Sequence, residues 1–114
     1  YRESPQTIDL SYNYLKVVYL YGQTAYNLNL SSNYQLTLDN NIQLNLSQLK
    51  YIDLSNINFR SFENVNLFHN ITTNRILILN NNHLDMKILN WNVFHPMSKY
   101  LTYLSLLGLL HYYY

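Results

Sequence analysis

The amino-acid sequence predicts a repeat solenoid, with a short parallel β-sheet on its concave face and irregular, short helical or extended legs on its convex face. Three observations predict it. A block of alternating apolar residues recurs along the chain every 20 to 27 residues. In several blocks an Asn follows three residues behind the last apolar position. Leu and Asn, at 22 and 18 residues, fill more than a third of the 114 positions, whereas Gly and Pro number two each. With so few tight-turn residues, Asn is left to reverse the chain, because its side chain bonds nearby backbone groups.

The first block is Pro5-Gln-Thr-Ile8-Asp-Leu10-Ser-Tyr-Asn13-Tyr-Leu15 and the second is Ala25-Tyr-Asn-Leu28-Asn-Leu30-Ser-Ser-Asn33. The third, Leu49-Lys-Tyr-Ile52-Asp-Leu54-Ser-Asn-Ile57-Asn-Phe59, places Ile57 in the Asn slot. The fourth is Asn74-Arg-Ile-Leu77-Ile-Leu79-Asn-Asn-Asn82-His-Leu84. The fifth, Leu101-Thr-Tyr-Leu104-Ser-Leu106-Leu-Gly-Leu109, places Leu109 there. Starts near 5, 25, 49, 74 and 101 are 20, 24, 25 and 27 residues apart. The reading is one array of about five repeats over 1–114, an internal piece of a longer chain without caps.

An apolar-x-apolar pair buries alternate side chains of a short strand and leaves the residues between them in solvent. No single unit buries its leucines alone, so units stack and their strands align in parallel, about 4.8 Å apart. After each strand the chain turns inward, exposing backbone groups that cost about 1–3 kcal/mol each if buried unpaired. Asn13, Asn33 and Asn82 form the expected ladder that bonds them, and the ladder is weaker at Ile57 and Leu109. On the return legs, Phe62, Phe68 and Ile71, then Ile88, Phe94 and Met97, supply convex anchors. Residues 34–48 read in two ways. Leu36-Thr-Leu38 and Leu44-Asn-Leu46 are either the convex leg of the second repeat or a hairpin around Asp39-Asn40-Asn41.

The spacings lie in the range of about 20–29 residues that leucine-rich repeats use. Leu49-Lys-Tyr-Ile-Asp-Leu-Ser-Asn-Ile-Asn-Phe59 and Arg75-Ile-Leu-Ile-Leu-Asn-Asn-Asn-His-Leu84, with the Phe-x-x-hydrophobic legs, resemble the extracellular leucine-rich repeat domains of Toll-like receptors, over roughly residues 5–109. The resemblance implies a receptor-type, innate-immune-like recognition module at the cell surface, outside the cell or in the endosomal lumen. It implies a protein or microbial-type ligand on the concave or lateral face, and a receptor dimer. The family's cysteine-rich caps have no counterpart in a chain without cysteine. The alternative is a cytoplasmic leucine-rich repeat scaffold that docks other proteins.

On a solenoid the solvent-facing strand positions line the binding face. Here they are Asp9 and Ser11, Asn29 and Ser31, Asp53 and Ser55, Ile78 and Asn80, Ser105 and Leu107. Tyr12, Tyr51 and Tyr103, beside the strands, are the better anchors, since Tyr is enriched among residues that dominate interfaces. The sequons at Asn29, Asn45 and Asn70 are candidate glycosylation sites. With 18 Asn and 15 Ser plus Thr, about two sequons arise by chance, so their number carries no signal.

Charged residues are 11% of the chain, net charge is +1, and no two basic residues are adjacent, so no nucleic-acid patch is expected. His69, His83, His95 and His111 lack metal-ligand spacing, and no metal or cofactor is expected. No membrane segment is read from the chain, since the apolar run 100–114 falls short of the ~20 residues that span a bilayer. Catalytic signatures are missing and the acids are scattered; Asp9 and Asp53 lie two strands apart, roughly 10 Å, at a separation an inverting carboxylate pair uses. The expectation is a binding protein, not an enzyme.

Overall fold

The computed structural model describes residues 6–38, 41–61, 67–83 and 91–108. Five three-residue strands form one parallel sheet, in the order β1 (Thr7–Asp9), β3 (Asn27–Asn29), β5 (Tyr51–Asp53), β6 (Ile76–Ile78) and β7 (Tyr103–Ser105). Two further strands, β2 (Val18–Thr24) and β4 (Ile42–Ser47), pair in parallel as a second sheet. Parallel neighbours cannot be joined by a tight hairpin. The chain therefore crosses to a second layer and returns between one strand of the larger sheet and the next. The result is a small domain of parallel strands with few helices.

The alternation in the sequence sets the register. Ile8, Leu28, Ile52, Leu77 and Leu104 stand opposite one another across the five strands. Leu28, Ile52 and Leu77 are fully buried, and so are Leu30, Leu54 and Leu79 just past the strand ends. On the two outer strands, Ile8, Leu10, Leu104 and Leu106 are only partly buried.

Each strand ends in the same reversal. Two residues after its last leucine, Tyr12, Ser32, Asn56, Asn81 and Gly108 have φ of 56°, 60°, 54°, 58° and 68°. This left-handed region is disfavoured for L-residues, and Asn and Gly enter it most readily. The N–H of Tyr12, Ser32, Asn56 and Asn81 each donates to a carbonyl of the following pass, at 2.8–3.0 Å. At 108 the missing side chain of Gly lets the Asn81 carboxamide lie where a Cβ would collide with it.

The Asn ladder holds these turns, although its rungs are unequal. Asn33 and Asn82 are fully buried. Asn33 Nδ2 donates to Leu30 O in its own pass at 2.9 Å and to Leu10 O in the pass before at 3.0 Å. Asn82 Nδ2 does the same with Leu79 O and Leu54 O, both at 3.0 Å. Asn13 is exposed and reaches only Leu10 O and Ser11 O of its own turn. Ile57 makes none of these bonds, but the expected weakness at the third pass is covered from its neighbour. Asn82 serves Leu54 O and also accepts from Ile57 N at 3.2 Å, while Ile57 itself is buried among the apolar side chains. Leu109 lies outside the described residues.

The opposite layer changes character along the chain, for reasons of periodicity. Val18, Leu20, Ile42, Leu44 and Leu46 alternate inward while Tyr19, Tyr21, Gln43 and Asn45 face out, the period of two that a strand needs. Since β4 pairs in parallel with β2 and Thr37 bridges Asn58 in parallel, the described residues 34–38 and 41–48 belong to a leg and do not pair with each other as a hairpin. The next two legs repeat apolar residues every third position, matching the three residues per turn of a 3-10 helix. They form such helices at Leu67–His69 and Trp91–Met97. Phe68 and Phe94, in matching phase, pack with ring centroids 5.4 Å apart, and Ile71 and Met97 are buried beside them. Phe62 and Ile88 lie outside the described residues.

Asn74 occupies a slot that Ala25 and Leu49 fill with apolar side chains. Its Nδ2 donates to Lys50 O and Ile76 O, and its buried Oδ1 has no partner.

In urea unfolding, Asn82→Ala is expected to cost about 3 kcal/mol, since it orphans carbonyls in two passes, whereas Asn13→Ala costs under about 1 kcal/mol. Equal losses would refute the unequal ladder. Asn74→Leu removes an orphaned acceptor together with two donated bonds, but Lys50 O keeps the N–H groups of Arg75 and Ile76, so the variant is expected to fall within about 1 kcal/mol of wild type. A loss above about 3 kcal/mol would contradict this account of the slot.

Candidate functional site

The open face of the larger sheet carries three columns of side chains, one more than alternation around the central leucines first suggests. Thr7, Asn27, Tyr51, Ile76 and Tyr103 form the first. Asp9, Asn29, Asp53, Ile78 and Ser105 form the second. Ser11, Ser31, Ser55, Asn80 and Leu107, just past the strands, form the third. Thr7, Asn27 and Ile76 went unnoticed in the sequence, because the strands begin one residue before the leading apolar position of each pair.

Much of the second and third columns is committed to holding the chain. Asp9 Oδ1 accepts from Ser11 N at 3.0 Å and from Ser11 Oγ at 2.6 Å. Asn29 Oδ1 and Asp53 Oδ1 accept from Ser31 N and Ser55 N, both at 2.9 Å. These Asx turns explain the Asp/Asn-x-Ser spacing of the first three passes. In the fifth pass the Ser105 hydroxyl is turned to Asn80 and does not cap Leu107 N. Asn80 reaches across from the fourth instead, accepting from Leu107 N at 2.8 Å and Ser105 Oγ at 2.6 Å.

These bonds correct several expectations. Ser31 and Ser55 are buried, not ligand-facing, because the turn folds over them. Asp9, Asn29, Asp53 and Asn80 each keep one oxygen for the backbone or for a neighbour. Tyr12 is 77% exposed but sits on the left-handed turn, past the end of β1 and off the sheet. Tyr51 and Tyr103 are the first residues of β5 and β7, on the face itself.

What remains open divides into two halves. Thr7, Asp9, Asn27, Leu28, Asn29 and Tyr51 line a shallow depression of about 360 Å³. Toward β7, Tyr51, Ile76 and Tyr103 stand side by side in register, with Ile78 next to them and Leu107 70% exposed beyond. Tyr51 joins the two halves.

The electrostatics of the face are modest. The Ser11 hydroxyl and then its N–H hold the Asp9 carboxyl below the usual carboxylate range, against a small opposing effect of burial. Asp9 is thus an anion with one oxygen engaged, the opposite of the proton-holding carboxyl that a general acid requires. Burial, and then the negative charge of Asp53, push the Tyr51 phenol up. Among the described residues no group of three His, Cys, Asp or Glu is placed to hold a metal ion. No helix among them is long and apolar enough to cross a membrane.

The three sequons differ in their surroundings. Asn45 faces outward from β4, and Asn70 is exposed after the first 3-10 helix. Asn29 is half-buried on the sheet with its Oδ1 engaged by Ser31 N.

Comparison with protein-family models, curated proteins and solved structures finds no match to this chain.

Ser11→Ala is expected to raise the Asp9 pKa toward the ordinary carboxylate value, read by carboxyl carbon chemical shifts in a pH titration. Since its folded-state pKa lies below the unfolded one, Asp9 favours folding above the unfolded pKa and ceases to as pH falls through the folded one. An unshifted Asp9 in Ser11→Ala would show that the hydroxyl does not set it.

Proposed function

We propose that this chain is a leucine-rich repeat solenoid that binds a protein or microbial-type ligand on the open face of its five-stranded sheet. The observation that carries the reading is the in-register row Tyr51–Ile76–Tyr103, extended by Ile78 and Leu107 and flanked by the shallow depression beside Tyr51. Aromatic and aliphatic side chains clustered in solvent beside hydrogen-bonding groups are the chemistry of interface hot spots. Support for the repeat reading comes from the recurrence of one strand and one left-handed turn at each pass, with an apolar pair fully buried in the three inner ones. It also comes from the resemblance of the third and fourth blocks to Toll-like receptor ectodomains. The extracellular or endosomal setting belongs to the same proposal, with Asn45 and Asn70 as the sequons open to glycan.

Two measurements test it. The immobilised chain is expected to retain partners that the double variant Tyr51→Ser/Tyr103→Ser loses by about tenfold or more, as expected for two anchors. Tyr19→Ser/Tyr21→Ser, on the other sheet, is expected to leave retention unchanged. Equal retention by both variants would remove the open face as the binding surface. Mass spectrometry of protein from its native source is expected to find glycan on Asn45 or Asn70. Bare asparagine at both would favour the cytoplasmic scaffold.

A further inference from the structure

Beyond the C-terminal ends of β5 and β6, on the turn edge and away from the open face, three successive passes enclose a notch of about 260 Å³. Tyr34 comes from the second pass, Asn56, Ile57, Asn58 and Arg60 from the third, Asn81 and His83 from the fourth. The backbone N–H groups of Asn56, Asn58, Asn81 and His83 are already spent on carbonyls of neighbouring passes. Apart from Ile57, every lining side chain bears a hydrogen-bond donor.

Arg60 sets the character of the notch. Its Nε donates to Asn58 Oδ1 at 2.8 Å, and it pairs with no acid among the described residues. That bond orients the guanidinium plane and leaves the terminal amino pair for another partner. A guanidinium offers five N–H donors and no acceptor, and it takes a carboxylate end-on through two parallel bonds. Among the described residues no aspartate or glutamate lines the notch. One formal cation among neutral donors matches the single charge of a carboxylate better than the higher charge of a phosphate.

We propose that this notch is a carboxylate-binding site, with Arg60 as the anchor and the His83, Asn81 and Tyr34 side chains as supporting donors. The carboxylate is supplied either by an acidic side chain of a polypeptide or by a small organic acid. The site is separate from the Tyr51–Ile76–Tyr103 row, so it stands or falls independently of the sheet-face proposal.

The test is a titration of 15N-labelled protein at constant ionic strength, with sodium acetate, N-acetyl-tetraglutamate and inorganic phosphate as parallel probes. Saturable amide shifts confined to residues 56–60 and 81–83 are expected, with acetate binding more tightly than phosphate. Tetraglutamate binding about tenfold tighter than acetate assigns the source to a polypeptide; equal affinity per carboxylate assigns it to a small acid. Arg60→Gln is expected to weaken acetate binding about tenfold or more, and Arg60→Lys less, since Lys keeps the charge without the fork. Arg60 is exposed, and its replacement is expected to leave the fold intact. His83→Ala, also exposed, serves as a second variant, expected to weaken binding about twofold to threefold. Shifts that stay linear with concentration, that persist in Arg60→Gln and His83→Ala, or that favour phosphate overturn the proposal.

Discussion

Every pass of this chain must reverse direction at the end of a three-residue strand, and the reversal leaves backbone carbonyls and amides pointing into or alongside an apolar core. Their satisfaction is the constraint on which the rest depends. The left-handed residue at 12, 32, 56, 81 and 108 makes the turn, and for four of the five its own N–H donates into the next pass. Asn33 and Asn82 then take the carbonyls that the turn leaves unmatched, each bonding its own pass and the one before. Without those bonds, burying Leu30, Leu54 and Leu79 would carry unpaired polar groups into the core at about 1–3 kcal/mol apiece.

The same constraint shapes the surface where a partner would bind. Asp9, Asn29 and Asp53 resemble an acidic and amide strip awaiting a ligand, yet each gives one oxygen to the Ser backbone two residues on. Where Ser105 does not cap Leu107 N, Asn80 does so from the neighbouring pass. The polar half of the open face is therefore partly scaffold. Its first column, by contrast, carries no such duty, because Thr7, Asn27, Tyr51, Ile76 and Tyr103 lie at the strand starts, away from the turns. The aromatic row stands in that column, and so does the reading of the face as a binding surface.

Charge is scarce in this protein, which gives the few charged groups weight. Asp9 is held anionic by a hydroxyl and an N–H on the open face. Arg60 is held by an amide oxygen on the turn edge, where three passes meet. The two lie on different surfaces and point to different chemistry.

The sequence by itself determined the shared register and the buried apolar columns, and it placed each strand of the larger sheet to within one residue. Alternation in a strand is a local geometric rule, and a period of two cannot be satisfied any other way. It also located the Phe68–Phe94 pair, because matching phase in consecutive legs places side chains together. Three things were decided only by the tertiary structure. The legs at 18–24 and 42–47 became a paired sheet because each found the other as a neighbour, which no local pattern specifies. Ile57 could stand in the Asn slot because Asn82, 25 residues away, reached its amide. And the Asp and Asn side chains of the open face turned inward to cap the chain, since a side chain that can bond either ligand or backbone goes first to the backbone group already within reach.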